Sequence, residues 1–273
     1  MLEQLFSDVH ADRVRSCSAL HPLTHFATTR WSLIRAEQAS EARSAGNDAL
    51  AELCQIYWRP IFTFICRRGY SVADAQDLTQ DFFMEVLEGK LIQSADPERG
   101  RFRSLLLKSL TNFLIDRKVK SRRRKHGGTI QFIPWDDWMD EASARETLST
   151  NDLARGSDET LFDFRWAATL AERALHRLRE ECESKGHRRL FEVLSDYLAA
   201  DRGDISYRHL SMLLGVSEAS VKKLIHRFRV RYRVLLREEV AKTVQTPEEV
   251  DDEVRYLCSA LSSGTPINGN ESM

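Results

Sequence analysis

Cysteine is scarce in this 273-residue chain, and the five that occur (Cys17, Cys54, Cys66, Cys182, Cys258) are far apart, odd in number and never in a C-x-x-C pair. That pattern argues against a disulfide framework or a cysteine zinc module, and for a reducing cytoplasm. With 12 glycines and 6 prolines the chain is neither collagen-like nor low-complexity. No run of about 18 apolar residues occurs, so no membrane span is expected. The opening MLEQLFSDVHADRVR mixes acids and bases and does not read as a secretory signal. No nucleophile–base pair, glycine phosphate loop or HExxH motif appears, so no catalytic residue is assigned and the chain is read as a non-enzyme. Metal ligands are missing too. Cys17, His21 and His25 stand four apart, but Pro22 interrupts them and no fourth ligand is near. Asp136 and Asp137 are adjacent acids without a partner motif. Neither metal nor cofactor is expected.

What is present can build a core. The apolar fraction is 42% and the charged fraction 30%, which excludes wholesale disorder. The length suggests about two domains. The net charge is only −1, yet the charges are unevenly spread. Arg99, Arg101, Arg103, Lys108, Arg117, Lys118, Lys120, Arg122, Arg123, Arg124 and Lys125 form one basic block, against Asp116 inside it. Lys222, Lys223, Arg227, Arg229, Arg231, Arg233 and Arg237 form a second, against Glu218. The stretches 136–159 and 248–253 are acidic. Two basic blocks separated by acid read as two nucleic-acid-facing surfaces on a near-neutral protein.

The periodicity is helical throughout. Leu50, Leu53, Tyr57, Ile61 and Phe64 make one apolar face over 48–68, where Pro60 is expected to kink or split the helix. A helix over 71–88 opens on Ser71 and Asp74, which resemble a capping box. Ala75, Leu78, Phe82 and Val86 point inward there. Asp74, Asp77, Asp81, Glu85 and Glu88 recur on the other face. Like charges at that spacing repel by a few tenths of a kcal/mol per pair, so the row reads as a docking stripe for a basic protein. A third helix over 101–123 carries Leu106, Leu110 and Phe113 inward and sets Asn112 and Asp116 on one face. After an acidic segment holding Trp135 and Trp138, helices are expected over 161–182, 188–200 and 206–214. Leu214-Gly215-Val216-Ser217 then leads into a long basic helix to about 240. A short helix, a glycine turn, a serine cap and a basic helix form a helix-turn-helix pattern. A last amphipathic helix starts at Thr246-Pro247-Glu248-Glu249 and repeats Val250, Val254, Leu257 and Leu261. It is too short to stand alone and is expected to dock on the second domain or on a partner.

Three motifs in this order carry a family resemblance. They are Asp74-Ala-Gln-Asp77-Leu-Thr-Gln-Asp81-Phe-Phe, the run from Phe102 through Asn112 to Asp116-Arg117, and Leu214-Gly-Val-Ser-Glu-Ala-Ser-Val-Lys222. Together they resemble a bacterial RNA polymerase sigma factor of the extracytoplasmic-function (ECF) group. The fold implied is all-α: two small helical domains joined by a flexible acidic linker, the C-terminal one a helix-turn-helix. The divisions are 1–25, an arm; 26–126, like sigma region 2; 127–160, the linker; 161–243, like sigma region 4; and 244–273, the amphipathic helix and tail. The resemblance implies that Asp74, Asp77, Leu78, Gln80, Asp81 and Glu85 bind core RNA polymerase at its β′ clamp helices, with the β flap a second contact. Arg103, Lys108, Asn112, Asp116, Arg117, Lys120, Arg122, Arg123 and Arg124 would engage the minus-ten promoter element and hold the melted strand. Ser217, Glu218, Ser220, Lys222, Lys223, His226 and Arg227 would read the minus-thirty-five element. Promoter DNA is thus the second partner, and an anti-sigma factor or other regulator is a third that the resemblance admits. The melting helix of the group often carries Trp where this chain has Leu105. A conventional dimeric helix-turn-helix repressor or activator explains the C-terminal half equally well, but not the acidic stripe followed by Asn112, Asp116 and Arg117.

Overall fold

The computed structural model of the protein describes residues 43–87, 101–121, 156–244 and 246–263. Every regular element among them is helical, as the periodicity requires. The α-helices are α1 (Arg43–Arg67), α2 (Val72–Leu87), α3 (Phe102–Ser121), α4 (Asp158–Ser184), α5 (Arg188–Leu194), α6 (Tyr207–Leu214), α7 (Glu218–Ala241) and α8 (Val250–Ser263). Short 3-10 turns occupy Ser195–Tyr197, Arg202–Asp204 and Pro247–Glu249. The N-terminal arm, Trp135, Trp138 and most of the acidic linker lie outside the described residues.

Local chemistry sets most of the boundaries. The Ser71 hydroxyl accepts from the Asp74 N–H at 3.1 Å and donates to the Asp74 carboxylate at 2.6 Å, which caps α2. Ser157 caps α4 by accepting from the Thr160 N–H at 3.2 Å. Two expectations need correction. Pro60 does not split α1; it lies inside one continuous helix. Its missing N–H is a local cost, and burial of Tyr57, Ile61, Phe62 and Phe64 around it outweighs that cost. The helix expected over 188–200 ends at Leu194 and continues only as a 3-10 turn. The reason is Arg229, whose guanidinium donates to the Tyr197 carbonyl at 2.7 and 3.1 Å and to the Ala200 carbonyl. Those carbonyls are satisfied from outside, so the chain can leave the helix.

Helix α4 is the centre of the molecule. Leu161, Phe162, Trp166, Ala167, Leu170, Ala174 and Leu178 are all buried along it, too many for one stripe. It runs antiparallel to α1. At one end Arg67 and Arg68 reach Asp158 at 3.0 and 2.8 Å, and at the other Arg173 reaches Glu52 at 3.1 Å. Tyr57 of α1 stacks on Phe162 of α4 with centroids 6.4 Å apart and meets Phe102 of α3 edge-on at 5.4 Å. On its other side α4 packs on α7 and α8. The helices assigned from sequence to two units therefore share one continuous apolar core.

A polar cluster sits where α1, α4 and α7 meet. Glu239 has no exposed surface. Its carboxylate accepts from Arg173 and Arg177 at 2.9 Å each and from Lys242 at 2.6 Å. Lys242 and Arg173 both also reach Glu52, at 2.7 and 3.1 Å. Burial alone would push the Glu239 carboxyl up, but the hydrogen bonds from Lys242 and Arg173 hold it below the usual carboxylate range. A carboxylate depressed on folding contributes stability above its unfolded pKa, and that contribution is lost as pH falls through the folded value. Glu239→Gln should therefore cost about 2–3 kcal/mol at neutral pH, because the partly buried Arg173, Arg177 and Lys242 lose the one carboxylate they share. Urea unfolding of both proteins across pH should show the difference shrinking below about pH 4.

Candidate functional site

Three surfaces carry the residues singled out from the sequence. On α2, Asp74, Asp77 and Glu85 are exposed, Asp81 is half exposed, and Leu78 and Gln80 are partly buried. The inward set is as expected, with Ala75, Phe82 and Val86 in the core. Asp81 is not purely a surface charge. It pairs with Arg117 of α3 at 2.8 Å, both side chains being more than two-fifths exposed. A pair that open contributes at most about 1 kcal/mol. It still brings the acidic row and the basic helix to one edge of the fold.

On α3 the residues divide by face. Leu106, Leu110, Phe113 and Leu114 are buried, and Leu105 is partly buried against the same core. Lys108, Asn112 and Asp116 are exposed together on the opposite side. Arg117 is half-buried, its guanidinium 5.1 Å from the Phe113 ring centroid. Lys120 falls within α3, while Arg122, Arg123 and Arg124 lie outside the described residues. Arg103 does not belong to the exposed set. It is only 5% exposed, pairs with Asp163 at 3.0 Å and with Glu253, and lies over the Trp166 and Tyr256 rings. Its position on the apolar face of α3 turns it into the protein, so the assignment of Arg103 to a DNA-facing surface is withdrawn.

The helix-turn-helix is α6, a turn and α7. Gly215 takes φ +66°, ψ +31°, the left-handed conformation that ends α6. The N–H groups of Gly215 and Val216 both reach the Ser211 carbonyl, the second at 3.2 Å. Ser217 caps α7 by accepting from the Ser220 N–H at 3.3 Å. Leu210, Val221 and Ile225 hold the two helices together from inside. Glu218, Lys222, Lys223 and His226 are exposed on the first turns of α7, while Ser220 and Arg227 are half-buried. Lys222 lies 5.0 Å from the Tyr207 ring centroid. Past Arg227, three of the four arginines of the run are paired within the protein, and Arg233 is exposed. Arg229 holds carbonyls, Arg231 pairs with Glu181, and Arg237 pairs with Asp251.

Residues 53–124 match the family model for sigma-70 region 2. The match makes this segment similar to a sigma-70 region 2, and it is called region 2 below. It spans the second half of α1, α2 and α3. Neither a curated protein nor a solved structure gives a significant match to the chain. The helix-turn-helix lies beyond the matched residues. No described helix is long and apolar enough to cross a membrane.

Sequence reasoning passed over some exposed apolar residues. Ile115, 56% exposed, sits among Asn112 and Asp116 on the outer face of region 2. Met212 and Leu213 of α6, and Val230 and Val234 of α7, are exposed as well. Each lies off its helix's apolar stripe, and that is the signal that could have found them. The buried pairing of Arg103 with Glu253 joins residues 150 positions apart, and no local pattern announces it.

Gly215 offers a clean check of the turn. A Cβ built there meets nothing within 4 Å, so the cost of Gly215→Ala is backbone strain alone. Thermal unfolding should show a loss of about 1–2 kcal/mol, the left-handed penalty for a residue with a Cβ.

Proposed function

We propose that this chain is a cytoplasmic sigma factor of the ECF group, which binds core RNA polymerase and directs it to promoters. The observation that carries the reading is the match to sigma-70 region 2 over residues 53–124, with an exposed acidic row on α2 beside an exposed polar face on α3. In this reading Asp74, Asp77, Gln80, Asp81 and Glu85 meet the basic β′ clamp helices, where opposite charge steers docking. Leu78 packs beneath them. The exposed apolar residues of α6 and α7 suit a contact with the β flap.

The α3 face then takes the minus-ten element. Lys108, Arg117 and the bases around 120–124 neutralise phosphates, while Asn112 and Asp116 offer hydrogen-bonding groups to an unstacked base. Ile115 adds an apolar spot against which a splayed base can rest. Flipping a base costs a few kcal/mol, offset by pocket contacts and backbone charge, so no ATP hydrolysis is called for. At the other module α7 enters the major groove N-terminus first. Lys222, Lys223 and Arg227 supply base or phosphate contacts, and Ser217, Glu218, Ser220 and His226 line the approach.

A pull-down of core polymerase tests the docking face. Asp81 is paired with Arg117, so reversing it would also disturb α3; Asp77→Arg/Glu85→Arg avoids that. The wild type should bind saturably and start transcription from specific promoters. The double reversal should weaken core binding at least tenfold, about 1.4 kcal/mol, without loss of helix content. Tight dimeric binding to duplex DNA with no core binding would favour a conventional repressor instead. The minus-thirty-five surface is tested by salt titration of the polymerase–promoter complex. Lys222→Ala should reduce the slope of log K against log salt by about 1 if Lys222 meets a phosphate, and relax one base preference if it meets a base.

A further inference from the structure

Of the candidate cations on the first turns of α7, Lys222 has a distinct setting. Its side chain is exposed, yet its ammonium lies 5.0 Å from the centroid of the Tyr207 ring. That is inside the range of about 6 Å over which a ring face attracts a cation. Tyr207 is the first residue of α6. Its side chain is partly buried against the apolar core, and Ile205 before it and Leu210 after it are buried. The ring is therefore a fixed platform beside the recognition helix.

Another partner stood closer along the chain. Glu218 lies four residues before Lys222 on α7, the order and spacing that favour an ion pair on a helix. Among the described residues neither Glu218 nor Lys222 has an ion-pair partner, and the ammonium rests over the ring instead. The two partners differ in what they leave. A carboxylate would neutralise the charge and occupy N–H donors. A ring face restrains the ammonium while its three donors stay open. Lys223, the next residue, is exposed and has no ring contact among the described residues.

A lysine is a point charge on a flexible four-carbon stem. Left free, it suits a phosphate, whose contacts position a protein without specifying sequence. Held in place, it presents its donors at a defined point, which suits a base edge. Those donors need acceptors. The base that shows two acceptors side by side in the major groove is guanine, through O6 and N7.

We infer that Tyr207 is a positioning residue for promoter reading: its ring holds Lys222 so that the ammonium donates to a guanine edge in the minus-thirty-five element, while Lys223 meets phosphate. This deepens the sigma-factor reading and rests on it. A residue outside the recognition helix thus sets what one of that helix's side chains can read.

Selection of promoters from a randomised duplex library, by core polymerase with the full chain, tests this. The wild type should enrich guanine at one position of the upstream element. Lys222→Ala should reduce that enrichment about tenfold and leave the other positions unchanged. Tyr207→Leu should reduce it at the same position by about threefold, while Tyr207→Phe, which keeps a ring face, should match the wild type. Lys223→Ala should weaken binding evenly and lower the slope of log K against log salt by about 1. Undiminished enrichment with Tyr207→Leu would overturn the proposal. So would an even loss at every position, the mark of a merely structural role, or a Tyr207→Phe variant that loses the preference. A Lys222→Ala variant that changes only the salt slope would place Lys222 on a phosphate and overturn it as well. All of these leave the sigma-factor reading standing. Failure of the wild type to enrich any sequence with core polymerase would remove that reading, and this proposal with it.

Discussion

A single buried carboxylate organises the contact between the helices of region 2 and those that follow it. Glu239 of α7 is surrounded by Arg173 and Arg177 of α4 and by Lys242, and through Arg173 and Lys242 it is linked to Glu52 of α1. Removing a charge from water is costly unless it is paired and hydrogen-bonded. Glu239 has a cation for each oxygen, and that arrangement exists only where α1, α4 and α7 come together. The apolar packing of α4 supplies the bulk of the burial. The charge cluster fixes which faces of the three helices meet, because any other rotation would leave a buried ion without a partner.

The same economy governs the rest of the charge. Arginines are numerous in the basic stretches, but many are spent within the fold. Arg103 bridges α3 to α4 and α8, Arg229 ends the helical path after α5, and Arg231 and Arg237 fasten α7 to its neighbours. Among the described residues, the exposed cations of the two runs include Lys108 and Lys118 on α3, with Lys108 beside Asn112 and Asp116, and Lys222, Lys223 and Arg233 on α7, the first two beside His226 on its first turns. Cysteine chemistry is equally contained. The Cys54 thiol is buried and pushed up to about 12 by loss of solvation, which leaves it an inert packing group.

Much of the architecture was legible along the chain because helices report themselves locally. The 3.6-residue spacing of Ala75, Phe82 and Val86, the caps at Ser71 and Ser217, and the glycine at 215 are signals that a few neighbouring residues carry alone. The acidic row of α2 and the Asn112–Asp116 face were visible for the same reason, since residues three and four apart share a helix face. Pro60 does not break α1 because its cost is local and its compensation is not. The aromatic and aliphatic residues that bury the middle of α1 belong partly to α4, about a hundred residues away.

By itself the sequence determined the helical class, the start of α2, the helix-turn-helix and the residues that form the two polar faces, since all of these follow from periodicity and capping within a few turns. Only the tertiary structure decided that α4 belongs to both halves of the chain, that Arg103 faces inward, and that α8 closes on region 2. Each of these is a pairing between residues far apart in the chain. Their energy comes from shared burial and matched charge, and neither is written in any one segment.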